Sequence, residues 1–269
     1  PRIAYRHPLY EEKRPASDAM IVGDAYLDTL RDRYAEAARL AIEVGFDGVD
    51  VKSCHGYLFQ ELLSAFSRPG RYGGSFENRT RLYLDCVRAV RDAIPQDALL
   101  TSRLSVSDMV PYPYGFGTDG ENRLDFTEPD RLVAELIKAG VKILNVTVGN
   151  PYYNPHVNRP YRKGGYPPPE SAETGLVRFR VIEEHLKERF PSLFLVASGL
   201  SYYRDRLMEE SELLLRDGVC DLVGYGRMTL AYPMFYRDAL EGKFEARKCC
   251  LACSKCTALM RAGQVSGCA

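Results

Sequence analysis

Five of the eight cysteines fall in the last twenty-one residues: Cys249, Cys250, Cys253, Cys256 and Cys268. Read as Cys250-x2-Cys253-x2-Cys256-x11-Cys268, they form a thiolate set of the kind that holds an iron–sulfur cluster or zinc. Core packing does not account for them, because buried cysteines are scattered singly among apolar neighbours. The surrounding KCCLACSKCTALMRAGQVSGCA is too polar for a core strand. A disulfide pair with spare thiols is the competing reading. A metal centre at the end of a long α/β chain points to an enzyme that moves electrons.

Other reactive side chains cluster where strands are expected to end. VKSCHGYL (51–58) puts Lys52, His55 and Tyr57 just past a strand, where an ammonium, an imidazole and a phenol can orient a carbonyl and deliver a proton. The plainer alternative has Lys52 in solvent and Tyr57 packed under the next helix. Arg103 sits inside an apolar strand, and a buried guanidinium needs an anionic ligand or a carboxylate from a neighbouring strand. Gly199 and Gly226-Arg227 close the last two strands, a corner that in barrels binds phosphate through backbone N–H groups. In RPGRYGGSFENRTRL (68–82) a structural role is favoured, with Ser75 capping a helix and Glu77 meeting its dipole. His156, in the tyrosine- and proline-rich stretch 150–169, is the weakest candidate.

The elements that must position these residues alternate regularly. Apolar positions at helical spacing run from Asp24 to Val44, with Gly45 as a C-cap. Strand GFDGVDV follows, then a helix over 78–94 and strand 98–106. The alternation continues with helix 128–139, strand 141–149, a helix near 173–189, strand 193–199, helix 203–217, strand 220–226 and a closing helix over about 228–240. Continuous apolar strands predict a parallel sheet buried on both faces. A doubly wound sheet and a (β/α)8 TIM barrel both fit. Five strand ends carrying polar or glycine specialities favour the barrel, and no GxGxxG follows any strand. The first twenty residues read as a loop. The expected organisation is a partial barrel over 1–242 and a cysteine-rich segment over 243–269.

Acidic and basic residues balance at 36 each, which argues against a nucleic-acid partner. No apolar run is long enough to span a membrane, and none resembles a signal peptide. Cys54, Cys86 and Cys220 stand alone, as in a protein of the reducing cytoplasm. A small-molecule substrate is expected, and a homo-oligomer is compatible with the sequence.

In this order, the segments resemble the old yellow enzyme family of FMN-dependent barrels. GFDGVDVKSCHGYLFQELLS and RYGGSFENRTRL are similar to its strand-four motif and the signature after it. RLSVSD resembles strand five, and ASGL and VGYGRMTLAYP resemble the phosphate-binding ends of strands seven and eight. The cysteines resemble the family's iron–sulfur branch, typified by 2,4-dienoyl-CoA reductase. The resemblance implies Tyr57 as proton donor to the substrate α-carbon and His55 as a carbonyl-binding partner. It implies Arg103 at the flavin N1/O2 edge, and Gly199, Gly226 and Arg227 at the FMN phosphate. Cys250, Cys253, Cys256 and Cys268 would then hold a [4Fe–4S] cluster, with NAD(P)H as reductant and an enone or enoate as substrate.

The chain departs from the family's pattern at three points. Lys52 stands where many relatives have a histidine, which suits an acidic substrate. The second cysteine spacing is x2 rather than x3, so Cys249 competes with Cys250 as first ligand. Strands one to three are not represented, and PRIAYRHP would follow the third. Two other functions are carried forward: a Schiff-base lyase using Lys52, and a non-catalytic partial barrel with structural zinc.

Overall fold

The helix Leu30–Glu43 stops where Gly45 takes a left-handed φ of 97°. Gly45 N–H donates to the Ile42 carbonyl and Phe46 N–H to that of Ala41, a paired closure that only glycine adopts cheaply. The chain turns there into the first strand, and the same helix-to-strand step recurs along the sequence. The structure is a computed structural model that describes residues 2–12 and 15–268; Pro1 and Ala269, the outer bounds of the two expected regions, lie outside them.

Five strands form one parallel sheet: β1 (Gly48–Ser53), β2 (Leu99–Ser107), β3 (Ile143–Val148), β4 (Phe194–Ala197) and β5 (Leu222–Val223). Their spatial order is their sequence order. A doubly wound sheet reverses direction at a switch point, so this one-way winding defines the arc of a barrel. Helices Phe76–Ala93, Thr127–Lys138 and Ala172–Arg189 bury Leu82, Val87, Leu132, Leu136, Ile182 and Leu186 in one core with the strands.

That core lies on one side of the sheet only. Leu100, Leu104, Leu144, Val146 and Leu195 point into it and are fully buried. On the opposite face Leu99, Phe194 and Leu222 are 44%, 54% and 45% exposed. The expectation of burial on both faces is therefore corrected for the described residues. The strands looked continuously apolar because the inner positions also carry apolar side chains.

Other boundaries differ for local reasons. The helix expected over 24–44 is two, Asp24–Asp28 and Leu30–Glu43, joined at Thr29. The closing helix divides into Arg227–Ala231 and Phe235–Leu240 because Pro233 has no N–H to continue it. β5 is two residues long, not seven. The opening segment is more than a loop. Ile3 bridges Ile21, Pro8–Glu11 is helical, and Ala4, Tyr5 and His7 are buried. The cysteine-rich end packs through Cys249 and Cys250 onto Leu207, Met228, Tyr232 and Phe235, an apolar cluster separate from the main core.

The RYGGSFENRTRL segment is structural, as its capping pattern predicts. Ser75 Oγ accepts from Asn78 N–H at 3.3 Å and opens the helix Phe76–Ala93. Arg79, 2% exposed, donates to the carbonyls of Gly74 and Leu63 and pairs with Glu128 at 2.5 Å. It ties that helix to the preceding turn and to the helix Thr127–Lys138. Arg79→Met leaves both carbonyls without their donor, and we expect a loss of about 2–4 kcal/mol. Urea unfolding measures it, and a midpoint equal to wild type would contradict the assigned role.

Candidate active site and cysteine centre

Register places the polar residues of three strands side by side. Lys52 pairs with Arg103, and Arg103 pairs with Asn145. In a parallel sheet registered residues share a face, so an ammonium, a guanidinium and an amide form one row on the face away from the helices. Arg103 is not buried as its strand context suggested; its side chain is 39% exposed. It pairs with Asp50, the strand-neighbour carboxylate, at 3.7 Å. That is beyond hydrogen-bond length, so the guanidinium keeps donors for a further acceptor. Asn145 Oδ1 accepts from Ser198 Oγ at 3.0 Å, which extends the polar row to the end of β4.

Immediately past β1, His55 and Gly56 take left-handed φ values of 65° and 70°. A Cβ on Gly56 would stand 2.7 Å from Asn150 Oδ1, so the turn needs glycine twice over, for conformation and for space. For His55 the same conformation is strained, and such strain gathers at functional sites. The turn leaves Tyr57 as the residue before the helix Leu58–Leu63, 54% exposed rather than packed beneath it. Lys52 Nζ lies 3.9 Å from the centre of the Tyr57 ring, a cation–π contact. Lys52, His55 and Tyr57 thus come together.

Their electrostatics differ. Burial, and then the Lys52, Arg103 and Arg159 cations, push the His55 imidazole down to about 4, so it is neutral at physiological pH. Burial also lowers Lys52, with Arg103 adding repulsion. The Tyr57 phenol is raised, first by its hydrogen bond with Tyr152, and so keeps its proton.

Tyr57 also borders a cleft of about 460 Å³ walled by Tyr5, Tyr10, Tyr152 and Tyr153. Residues of the opening segment form half of it. His7 stacks on Tyr10 at 3.6 Å and holds the Tyr114 carbonyl at 2.7 Å. Glu61 closes one side, accepting from Ala4 N–H at 2.8 Å, and burial raises its carboxyl to about 7.

Gly199 and Gly226 lie just past β4 and β5, and a Cβ at Gly226 would meet nothing within 4 Å. Arg227 follows, but its Nη1 donates to the Pro160 carbonyl at 2.8 Å, and the sulfurs acting on its charge are Cys250, Cys256 and Cys253. Its side chain therefore belongs to the cysteine centre while its backbone stays at the strand ends. His156 Nδ1 is 2.6 Å from Tyr166 Oη, away from this row.

The cysteine loop bends through left-handed Ala252 and Ser254, and Ala252 N–H approaches Cys250 Sγ at 3.4 Å. Burial and then Cys250, Cys253 and Cys256 raise the Cys268 thiol, so four sulfurs share one neighbourhood. Cys249 stands apart, its Sγ 4.0 Å from the Glu245 carbonyl with Asp205 and Arg204 as charged neighbours. Among the described residues no three His, Cys, Asp or Glu side chains close on a single ion. Four thiols in one neighbourhood are the donor chemistry that an iron–sulfur cluster takes, one thiolate to each iron.

The chain belongs to the NADH:flavin oxidoreductase / NADH oxidase family, whose model matches residues 24–244. It is 26% identical over 230 residues to an NADH oxidase of Thermoanaerobacter brockii, covering 85% of this chain and 31% of that protein. It is 25% identical over 241 residues to the dimethylamine dehydrogenase of Hyphomicrobium sp. (strain x), covering 89% and 30%. With 12-oxophytodienoate reductase 1 of Oryza sativa subsp. japonica it shares 32% over 204 residues, covering 75% and 45%. In fold it is similar to a 2-naphthoyl-CoA reductase complex, with a TM-score of 0.75 at 19% identity over 100% of this chain and 37% of that one. The old yellow enzyme homologue from Zymomonas mobilis follows with 0.59 at 24% identity, over 85% and 56%. The chain spans about a third to under a half of the length of these curated relatives.

Asn145, Asp50, Tyr152 and Glu61 were not singled out from sequence. Asn145 had a signal, an amide inside ILNVTV two strands from Lys52, but only register reveals the row. The His55 environment is directly testable by histidine-ring NMR. Its signals should stay constant from about pH 8 to pH 5 and move with a midpoint of about 4. Lys52→Met should raise that midpoint by removing a facing cation. A midpoint near the ordinary 6.5 would contradict the arrangement.

Proposed function

We propose that this chain carries the substrate- and flavin-facing part of an FMN-dependent, NAD(P)H-driven oxidoreductase that reduces an activated C=C bond of an enone or enoate. The observation that carries the reading is the row Lys52–Arg103–Asn145 beside the His55–Tyr57 turn. A donor-rich row with a single nearby carboxylate is complementary to the anionic pyrimidine edge of a reduced flavin, so the residues fit the group.

Bound FMN would supply the two-electron relay between NAD(P)H and the substrate. Arg103 would hold the N1/O2 edge with the guanidinium donors that Asp50 leaves over. Gly199, Gly226 and the Arg227 backbone, at adjacent strand ends, would take the phosphate. Neutral His55 donates one N–H to the substrate carbonyl oxygen, and Lys52 adds charge on the same side. Polarising the carbonyl makes the β-carbon electrophilic and leaves the α-carbon to be protonated. Tyr57 supplies that proton from a phenol kept neutral by Tyr152. Cys250, Cys253, Cys256 and Cys268 would hold a [4Fe–4S] cluster for one-electron transfer, with Cys249 packed aside.

Stopped-flow absorbance tests the division of labour. Tyr57→Phe should slow substrate reduction by about 10²–10⁴-fold, the worth of a general acid. Reduction of the flavin by NAD(P)H should be unchanged. Equal slowing of both half-reactions, or of neither, would count against Tyr57 as the proton donor.

A further inference from the structure

The left-handed turn at His55 and Gly56 hangs from a buried relay of hydrogen bonds. Gly56 N–H donates to Gln60 Oε1 at 2.6 Å. Gln60 Nε2 donates to Asp108 Oδ1, also at 2.6 Å, and Asp108 Oδ2 accepts from Phe116 N–H at 3.0 Å. Gln60 and Asp108 are each 2% exposed, and Phe116 is solvent-free. Gln60 lies in the helix Leu58–Leu63 that Tyr57 precedes, and Asp108 directly follows β2. Gln60 Nε2 also reaches the carbonyl of Gly149, just past β3, at 3.3 Å, and Asn154 Nδ2 holds the Asp108 carbonyl at 2.9 Å. The relay thus ties the turn after β1 to the ends of β2 and β3.

Its polarity runs one way. Burial pushes the Asp108 carboxyl up to about 6, against the Gln60 and Phe116 donors, so at neutral pH it is ionised and accepts on both oxygens. A carboxylate facing Gln60 fixes which end of the amide it meets. Gln60 must turn its NH2 to Asp108, which leaves its oxygen for Gly56 N–H. An amide at position 108 cannot do the same work. Its one oxygen would serve Phe116 N–H, and its NH2 would confront the NH2 of Gln60. Turning Gln60 over to relieve that contact would aim its NH2 at Gly56 N–H instead. In either arrangement a buried donor loses its acceptor.

We propose that Gln60 and Asp108 are positioning residues for the reaction, their relay fixing the backbone at Gly56 so that His55 and Tyr57, on either side of it, meet the same substrate. The inference rests on the roles given above to His55 and Tyr57, and neither new residue touches substrate. A left-handed non-glycine residue such as His55 persists only where its surroundings hold it, and the Gln60 bond to the next peptide N–H supplies that hold. Proton delivery and carbonyl binding both need hydrogen-bond reach, so a turn displaced by a fraction of an ångström loses both.

Amide hydrogen exchange at Gly56, read by NMR in the resting protein, and stopped-flow kinetics of the two half-reactions test this together. Asp108→Asn, nearly isosteric, should speed exchange at Gly56 about tenfold, the worth of one hydrogen bond. It should slow substrate reduction about 10–100-fold, the effect of a misplaced group, while flavin reduction by NAD(P)H keeps its wild-type rate. Gln60→Glu combined with Asp108→Asn exchanges carboxylate and amide and again sets a donor against an acceptor at every link. Gly149 keeps Ser105 Oγ as a donor at 3.3 Å, so the double variant should recover most of both losses. Wild-type exchange at Gly56 in Asp108→Asn, a double variant no better than Asp108→Asn, or equal slowing of both half-reactions would each overturn the proposal. If Asp108→Asn does not fold, Gln60→Met, which removes the Gly56 acceptor and leaves Asp108 its Phe116 bond, is read for the same two changes. Tyr57→Phe, run beside them, separates the two levels. Unchanged substrate reduction in Tyr57→Phe sinks the proton-donor reading, whereas a slow Tyr57→Phe with a fast Asp108→Asn sinks the positioning role alone.

Discussion

Parallel pairing in one register is the constraint on which the site depends. β1, β2 and β3 are hydrogen-bonded so that Lys52, Arg103 and Asn145 lie in one row. A slip of one residue in any of the three would turn its polar side chain into the helix-packed core. What fixes the register is the opposite face, where Val51, Leu100, Leu104, Leu144 and Val146 are essentially solvent-free. Apolar packing on one side thus specifies the chemistry on the other. The same parallel winding brings every strand's C-terminal end to one edge, so the turn at His55, the glycines after β4 and β5 and the loop after β3 share a rim.

The loop after β3 joins the two halves of that rim. At its start, Asn150 fills the space beside Gly56, and Tyr152 sits edge-on to Tyr57 with ring centres 6.5 Å apart. At its end, Pro160 holds Arg227, and Arg162 and Lys163 hold the cysteine loop. One segment, from Asn150 to Lys163, therefore touches both Tyr57 and the cysteine loop.

Much of this architecture was legible in the sequence because its signals are local. Helix ends at Gly45, the Ser75 cap and the cysteine spacing each declare themselves within a few residues. The alternation of strands and helices was readable from period alone. Side-chain surroundings were not. Arg103 looked buried because its sequence neighbours are apolar, yet half of those neighbours face the opposite side of the strand. The opening segment looked featureless because Tyr5, His7 and Tyr10 find their partners at residues 64, 114 and 153. Cys249 and Cys250 could not be separated by spacing, since adjacent residues differ only in direction. The packing of Cys249 toward Glu245 and Asp205 distinguishes them. Arg227 carries a similar ambiguity, its backbone at the strand ends and its guanidinium among the sulfurs.

We propose that the polar row and the glycine-closed strand ends form a flavin-binding face next to an iron–sulfur centre. An absorption spectrum of the protein purified without oxygen and supplied with FMN addresses it most directly. Two flavin bands, retained after gel filtration, are expected above a broad iron–sulfur background. A colourless protein that releases added FMN completely would contradict it.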